Sequence, residues 1–174
     1  MKNKLFTILF IGIAFSMSAQ SVDPLRTKDV EAQNTWVDSI MKNMTLDQKI
    51  GQLFMVQAYS NRDQKHEDYI IEMIKKYDIG GLIFMQGTPE KQAELNNKYQ
   101  AISKVPLMIG FDGEWGLDMR LKNTYKFPWN MTLGAIRNDS LIKKFGEHIG
   151  IHCKRLGIHM NFAPVVDINT NPEN

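Results

Sequence analysis

Four short apolar runs, each parted from the next by an amphipathic stretch long enough for a helix, set the narrowest limits on what this chain can fold into. The runs are Leu53 to Val56, Leu82 to Met85, Leu107 to Phe111 and Met160 to Val166. Each is short enough to be a strand buried on both faces. Strands of that kind alternating with helices form parallel βαβ units with right-handed crossovers. The intervening helices carry their own start and stop signals. Thr45 and Gln48 form a capping box, Thr88-Pro89 reads as an N-cap followed by proline at the first helical position, and Asn138 or Asp139 caps a long helix that Gly157 closes. Apolar stripes at helical spacing support a first helix over Val30 to Asn43, one over Glu67 to Tyr77 ended by Gly80 and Gly81, and the long one through Leu141, Phe145, Ile149, Cys153 and Leu156.

Two architectures satisfy this order, a doubly wound sheet and a (β/α) barrel. The first normally carries a glycine-rich phosphate loop after an early strand, and no G-x-G-x-x-G occurs. The second needs about eight strands in roughly 250 residues. The chain, at 174 residues, shows four strands, only half of a barrel's number, and on the residues alone both architectures stay open.

The third run ends abruptly on a charge. Asp112 follows Phe111 directly, Gly113 and Gly116 permit turns that a Cβ would resist, and Glu114, Trp115, Asp118 and Arg120 crowd the same loop. A carboxylate at the exit of a core strand is a ligand-site pattern; the alternative is an Asp-Gly turn whose carboxylate caps loop backbone. The fourth run also ends on a carboxylate, Asp167. Between Arg120 and Asn138 no periodicity is visible, and long aperiodic loops inside compact domains are usually functional. Of the histidines, His148 and His152 fall in the long helix and His159 just before a strand, with surface or core roles as the default, while His66 reads as solvated.

Lys2 and Lys4 precede an apolar run from Leu5 to Phe15 and a small polar segment, which reads as a secretory signal over residues 1–19 with the functional domain over 20–174. Removing it takes away two lysines and no acids, leaving the 21 basic and 19 acidic residues balanced at nineteen each. A near-neutral chain without a Lys/Arg cluster argues against nucleic acid as a partner. The mature chain is expected in the periplasm or secreted, without stable membrane insertion. Cys153 is the sole cysteine, so no internal disulfide forms, and no metal-ligand spacing occurs.

Four blocks, M-T-L-D-Q-K-I-G-Q-L-F-M (44–55), G-G-L-I-F (80–84), I-G-F-D-G-E-W-G with its following M-R-L, and L-G-I-H-M-N-F-A-P-V-V-D-I-N (156–169), occur in an order that resembles the N-terminal catalytic domain of glycoside hydrolase family 3. The likeness is greatest to its bacterial β-N-acetylhexosaminidases. It implies an α/β fold, a partial (β/α)8-like barrel of about the first four βα units preceded by N-terminal helices, with no cofactor, a β-linked carbohydrate as substrate, and retaining hydrolysis through a covalent glycosyl-enzyme intermediate. By position, Asp112 matches the aspartate that binds hydroxyls of the sugar in the first subsite, and Arg120 an arginine on the same loop. Asp167 and Trp115 are further substrate-binding candidates, Asp167 equally for ordering its loop, and Trp115 either as part of a sugar-stacking wall with Trp129 or, as is commoner for aromatics in such loops, for packing. The resemblance places the nucleophile and acid/base beyond Asn174, the acid/base of the hexosaminidase branch being a histidine held by an aspartate after a Lys-His segment. The isolated chain is thus expected to be inactive, and exposed half-barrel edges to favour self-association. A β-glucosidase of the same family, or a non-catalytic carbohydrate-binding half-barrel, is the alternative.

Overall fold

The computed structural model describes residues 27–167, so the signal segment lies outside the described residues. The chain divides into two compact units between Asp38 and Ser39. The first contributes most of α1 (Val30–Met41), whose start is capped by Asp29, the Oδ1 of which accepts from the Ala32 amide at 2.8 Å. The second unit carries the remaining elements: α2 (Leu46–Gly51), β1 (Met55–Ala58), α3 (Gln64–Tyr77), β2 (Gly81–Phe84), α4 (Pro89–Ile102), β3 (Met108–Phe111), α5 (Asn130–Gly134), α6 (Asp139–Arg155) and β4 (Met160–Asn161).

All three strand pairings are parallel, and the spatial order is β1-β2-β3-β4. Each new strand is added on the same side of the last. A doubly wound sheet would reverse direction at a switch point, so the order is that of a barrel sector, and the choice between the two architectures falls on the (β/α) barrel.

The helix signals hold where the chemistry is local. Thr45 accepts from the Gln48 amide at 3.2 Å while Gln48 Oε1 accepts from the Thr45 amide at 2.9 Å, closing the capping box. Thr88 caps α4 with Pro89 behind it, and Asn138 rather than Asp139 caps α6. After α6, the Gly157 amide donates to Lys154 O and the Ile158 amide to Cys153 O, a Schellman closure that Gly157 permits at φ +65°. The long helix α3 ends earlier than its glycines: Asp78 takes the left-handed position at φ 48°. Gly80 serves instead for close approach, since a Cβ there would run into the Gln52 backbone.

Two strands are displaced from their apolar runs. Leu53 and Phe54, read as strand, are 84% and 58% exposed and belong to the turn closing α2, with their amides donating to Ile50 O and Gly51 O. The first strand starts at Met55 instead. The fourth shrinks from Met160–Val166 to two residues. The Phe162 amide still donates to Phe111 O at 2.8 Å, but Pro164 has no N–H to offer and the ladder stops short of it. The strands are also not buried equally on both faces. Side chains alternate along a strand, so Leu82, Phe84, Ile109 and Phe111 share one face; they join Ile70 and Ile74 of α3 and Leu95 and Tyr99 of α4 in a single buried cluster. The opposite face carries Gly81, Gly110 and Met108, and Met108 is 47% exposed.

An ion pair joins the two helices over that cluster. Glu67 of α3 is buried, and its carboxylate takes Lys98 Nζ at 2.7 Å and Lys91 Nζ at 3.4 Å, both from α4. The hydrogen bond from Lys98, aided by the Lys91 charge, holds the Glu67 carboxyl below its ordinary value. A carboxyl whose pKa is lowered by folding contributes stability above the unfolded value of 4.5 and loses it as pH falls through the folded one. Wild type is therefore expected to exceed Glu67→Gln in unfolding free energy by a constant margin from pH 7 to about pH 5, and by a shrinking one below the ordinary carboxylate range. Urea titrations of both proteins at stepped pH check this.

Candidate functional site

The exits of the parallel strands are laced together in sequence order. From β1 to β2, the Met85 amide donates to Ala58 O at 2.9 Å, and Ser60 donates through both its amide and its hydroxyl to Gln86 O, at 2.8 and 3.2 Å. From β2 to the loop after β3, the Gly87 amide donates to Arg120 O at 3.4 Å and the Lys122 amide to Gly87 O at 2.9 Å. Gly87 sits at φ +150°, and a Cβ on it would collide with Ser60. Three successive loops thus share one hydrogen-bonded rim at the C-terminal ends of the strands, the face where (β/α) barrels build their sites.

Asp112 leaves β3 onto this rim. The chain then makes a tight turn, with the Gly116 amide donating to Gly113 O at 3.1 Å, and a 3₁₀ turn over Leu117–Met119 follows. Gly116 is at φ +90°, and a Cβ would also strike the Phe127 ring. Leu117 and Leu121 are buried and anchor the turn. The consequence is that Arg120 returns over the residue eight positions before it. Arg120 Nη2 pairs with Asp112 Oδ2, and Arg120 Nε donates to Asp112 O at 3.2 Å. Asp118 lies inside the 3₁₀ turn. The pair is neither sealed nor fully wet, with side-chain exposures of 20% for Arg120 and 29% for Asp112. One guanidinium fork therefore fixes both the carboxylate and the backbone of Asp112, and both side chains keep part of their surface open to solvent.

The other candidates are less convergent. Trp115 is half-buried with its ring tilted 55° against Trp129 at a centroid distance of 6.1 Å; the Trp129 ring is exposed, with Lys126 Nζ 5.6 Å from its centre. Glu114 Oε2 accepts from Asn130 Nδ2 at 3.4 Å. Asp167 is exposed and lies six residues past the end of β4, not at a strand exit as its apolar run implied. Two histidines hold backbone. His66 Nε2 accepts from the Tyr59 amide at 3.0 Å, so it ties down the β1 exit rather than standing in solvent; burial and the Arg62 charge lower its pKa. His159 Nδ1 accepts from the Ile109 amide at 2.9 Å. The sequence reading passed over Asn161, whose carboxamide bonds both backbone groups of Gly113. Its signal was there, since asparagine is disfavoured in strands and needs a reason to be in one.

Among the described residues no group of three His, Cys, Asp or Glu is placed to hold a metal ion, and no helix is long and apolar enough to cross a membrane.

Comparison with known proteins agrees with the topology. Residues 45–174 match the family model for the glycosyl hydrolase family 3 N terminal domain. Over 116 residues the chain is 36% identical to the beta-hexosaminidase A of Pseudoalteromonas piscicida, covering 59% of this chain and 19% of that protein. Over 172 residues it is 28% identical to the periplasmic beta-glucosidase of Salmonella typhimurium strain LT2, covering 93% of this chain and 21% of that protein. The solved structure of the beta-glucoside phosphorylase BglX superposes with a TM-score of 0.69 over 83% of this chain and 24% of that one, at 23% identity, a likeness of fold. The chain spans about a fifth of the length of the two curated relatives.

Proposed function

The chain belongs to glycoside hydrolase family 3, and from that premise we propose that it supplies the sugar-gripping sector of an exported, retaining β-glycosidase, one that removes terminal β-linked N-acetylglucosamine from glycans or cell-wall fragments. The observation that carries this is the Asp112–Arg120 pair at the exit of β3, fixed by two bonds and still partly exposed. A pyranose offers neighbouring hydroxyls that both donate and accept. A carboxylate accepts from such hydroxyls, a guanidinium donates to them, and both bonds are charge-assisted. The pair is neutral as a whole, which suits an uncharged polyol better than a phosphate.

In retaining hydrolysis a carboxylate attacks the anomeric carbon while an acid protonates the leaving oxygen, and water then releases the sugar from the enzyme. We assign those two groups to parts of the protein outside these 174 residues, in keeping with the share of the relatives' length that the chain covers. Export is supported by the apolar run Leu5 to Phe15 and by a relative named as periplasmic. A β-glucosidase is the second reading, favoured by the beta-glucosidase relative that matches nearly the whole chain.

Titrating the purified chain with N-acetylglucosamine, and separately with glucose, is expected to shift the amide resonances of Asp112, Gly113 and Arg120, more at equal concentration for the preferred sugar. The same preparation is expected to release no chromophore above buffer from an aryl β-N-acetylglucosaminide. Silence of those amides toward both sugars would remove the binding assignment; appreciable turnover would overturn the placing of the catalytic groups.

A further inference from the structure

We propose that Asn161 is a positioning residue for the sugar-binding carboxylate, acting through the backbone of Gly113. The inference rests on reading Asp112 as the sugar-gripping group, and it adds the device that holds that group still.

The geometry is a closed ring. Asn161 Oδ1 accepts from the Gly113 amide at 2.9 Å, and Asn161 Nδ2 donates to Gly113 O at 3.2 Å. A carboxamide is the one neutral side-chain group that offers a donor and an acceptor with the spacing of a peptide. Here it acts as an extra rung, paired with β3's continuation after regular β4 pairing has ended at Asn161. The residue before Asp112 is fixed as well, because the Phe111 carbonyl takes the Phe162 amide at 2.8 Å and its ring is buried. Asp112 is therefore the single residue between two clamped peptide units, with Arg120 fixing its own carbonyl and carboxylate as the third restraint. Gly113 lets the turn lie close over the core. A Cβ there would lie 2.7 Å from Phe111 Cε1, so the turn has no room to rise.

A purely structural role for Asn161, sealing the last rung of a short strand, would leave the sugar affinity where it is once the protein folds. A positioning role would not, because a carboxylate displaced by about 1 Å misses the hydroxyl geometry it is built for. The two part experimentally. Asn161→Leu removes donor and acceptor at similar size; Asn161→Thr suits a strand and keeps a hydroxyl that is one bond shorter than the carboxamide and lacks its paired, peptide-like geometry toward Gly113.

In amide-resolved titrations of the 174-residue chain with N-acetylglucosamine and glucose, Asn161→Leu is expected to weaken binding about tenfold and to speed hydrogen exchange at Gly113, while Leu82 and Phe84 stay protected. In an Asp112→Asn background it is expected to cause no further loss, since the group it positions is already impaired. If Asn161→Leu does not fold, Asn161→Thr carries the test with the same expected direction. Wild-type affinity in the folded variants, with Asp112→Asn still impaired, overturns the inference alone. Equal binding by wild type and Asp112→Asn, or none by either, overturns the sugar reading of Asp112 and this inference with it.

Discussion

Replacing Phe111 with alanine is expected to lower the unfolding free energy by about 3–5 kcal/mol, the usual cost of emptying a buried aromatic site. The ring is 1% exposed, sits on a strand with neighbours on both edges, and belongs to the cluster that β2, β3, α3 and α4 share. Strands paired on both sides cannot drift inward to fill a void, so little of the cavity closes. A domain of this size holds only about 5–15 kcal/mol in total, so one substitution removes a large fraction. The effect should reach the rim, because Gly113 lies directly over the Phe111 ring edge. Urea unfolding reports it as a fall in midpoint at constant slope. Leu53→Ala is the matching control: Leu53 looks like core in the sequence but is 84% exposed, and its loss is expected to change stability by no more than about 0.5 kcal/mol. A large effect at Leu53 with a small one at Phe111 would move the first strand back onto its apolar run.

That contrast shows what an apolar run can and cannot convey. Where a signal is local and stereochemical, as in the capping box at Thr45 and the αL closure at Gly157, the sequence is enough, because partners three or four residues apart decide the outcome. The alternation of elements, and hence the parallel βαβ class, follows from periodicity; the barrel needs the strand order β1-β2-β3-β4 as well. Strand ends do not follow from periodicity, since they depend on which amides find a neighbour. Leu53 and Phe54 spend theirs on the α2 turn. Val165 and Val166 stand beyond Pro164, exposed and unpaired with β3, despite an apolar stretch that continues through them. The inner stripe of α6 is a similar case. Its C-terminal part, Cys153 and Leu156, packs on the core, whereas Phe145 meets Phe127 edge-on at 5.1 Å and Leu141 is exposed.

The site divides along the same line. That Asp112 stands at the exit of β3 was legible, because a charge at the end of a buried run is conspicuous; its pairing with Arg120 rests on an eight-residue return set by Gly116 and two buried leucines. Asn161 and His159 were not legible, because each acts on backbone far away in sequence, Gly113 for Asn161 and Ile109 for His159, at separations of 48 and 50 residues. His66 reaches back only seven residues, to the Tyr59 amide, but across a loop that has no periodicity to mark the pair. Long-range bonds between a side chain and the main chain leave no periodicity behind. Only an out-of-place polar residue marks them.

The second large effect falls on binding. Asp112→Asn is close to isosteric but removes the charge, so hydroxyl bonds that were charge-assisted become ordinary ones; bonds to charged groups contribute about 1.5–3 kcal/mol against about 1 for neutral pairs. With two hydroxyls engaged, sugar affinity is expected to fall about ten- to a hundredfold. Arg120→Lys is expected to cost less, and for a different reason. A lysine can neutralise the carboxylate but has no Nε to hold the Asp112 carbonyl in the same fork. Because both residues act through one geometry, the double variant should lose less than the two single losses combined. If Asp112 served only to tie its loop, the pattern would invert: Asp112→Asn would lower the thermal midpoint and leave the sugar titration unchanged. The same two measurements on three proteins therefore separate a carboxylate that grips a ligand from one that staples a turn.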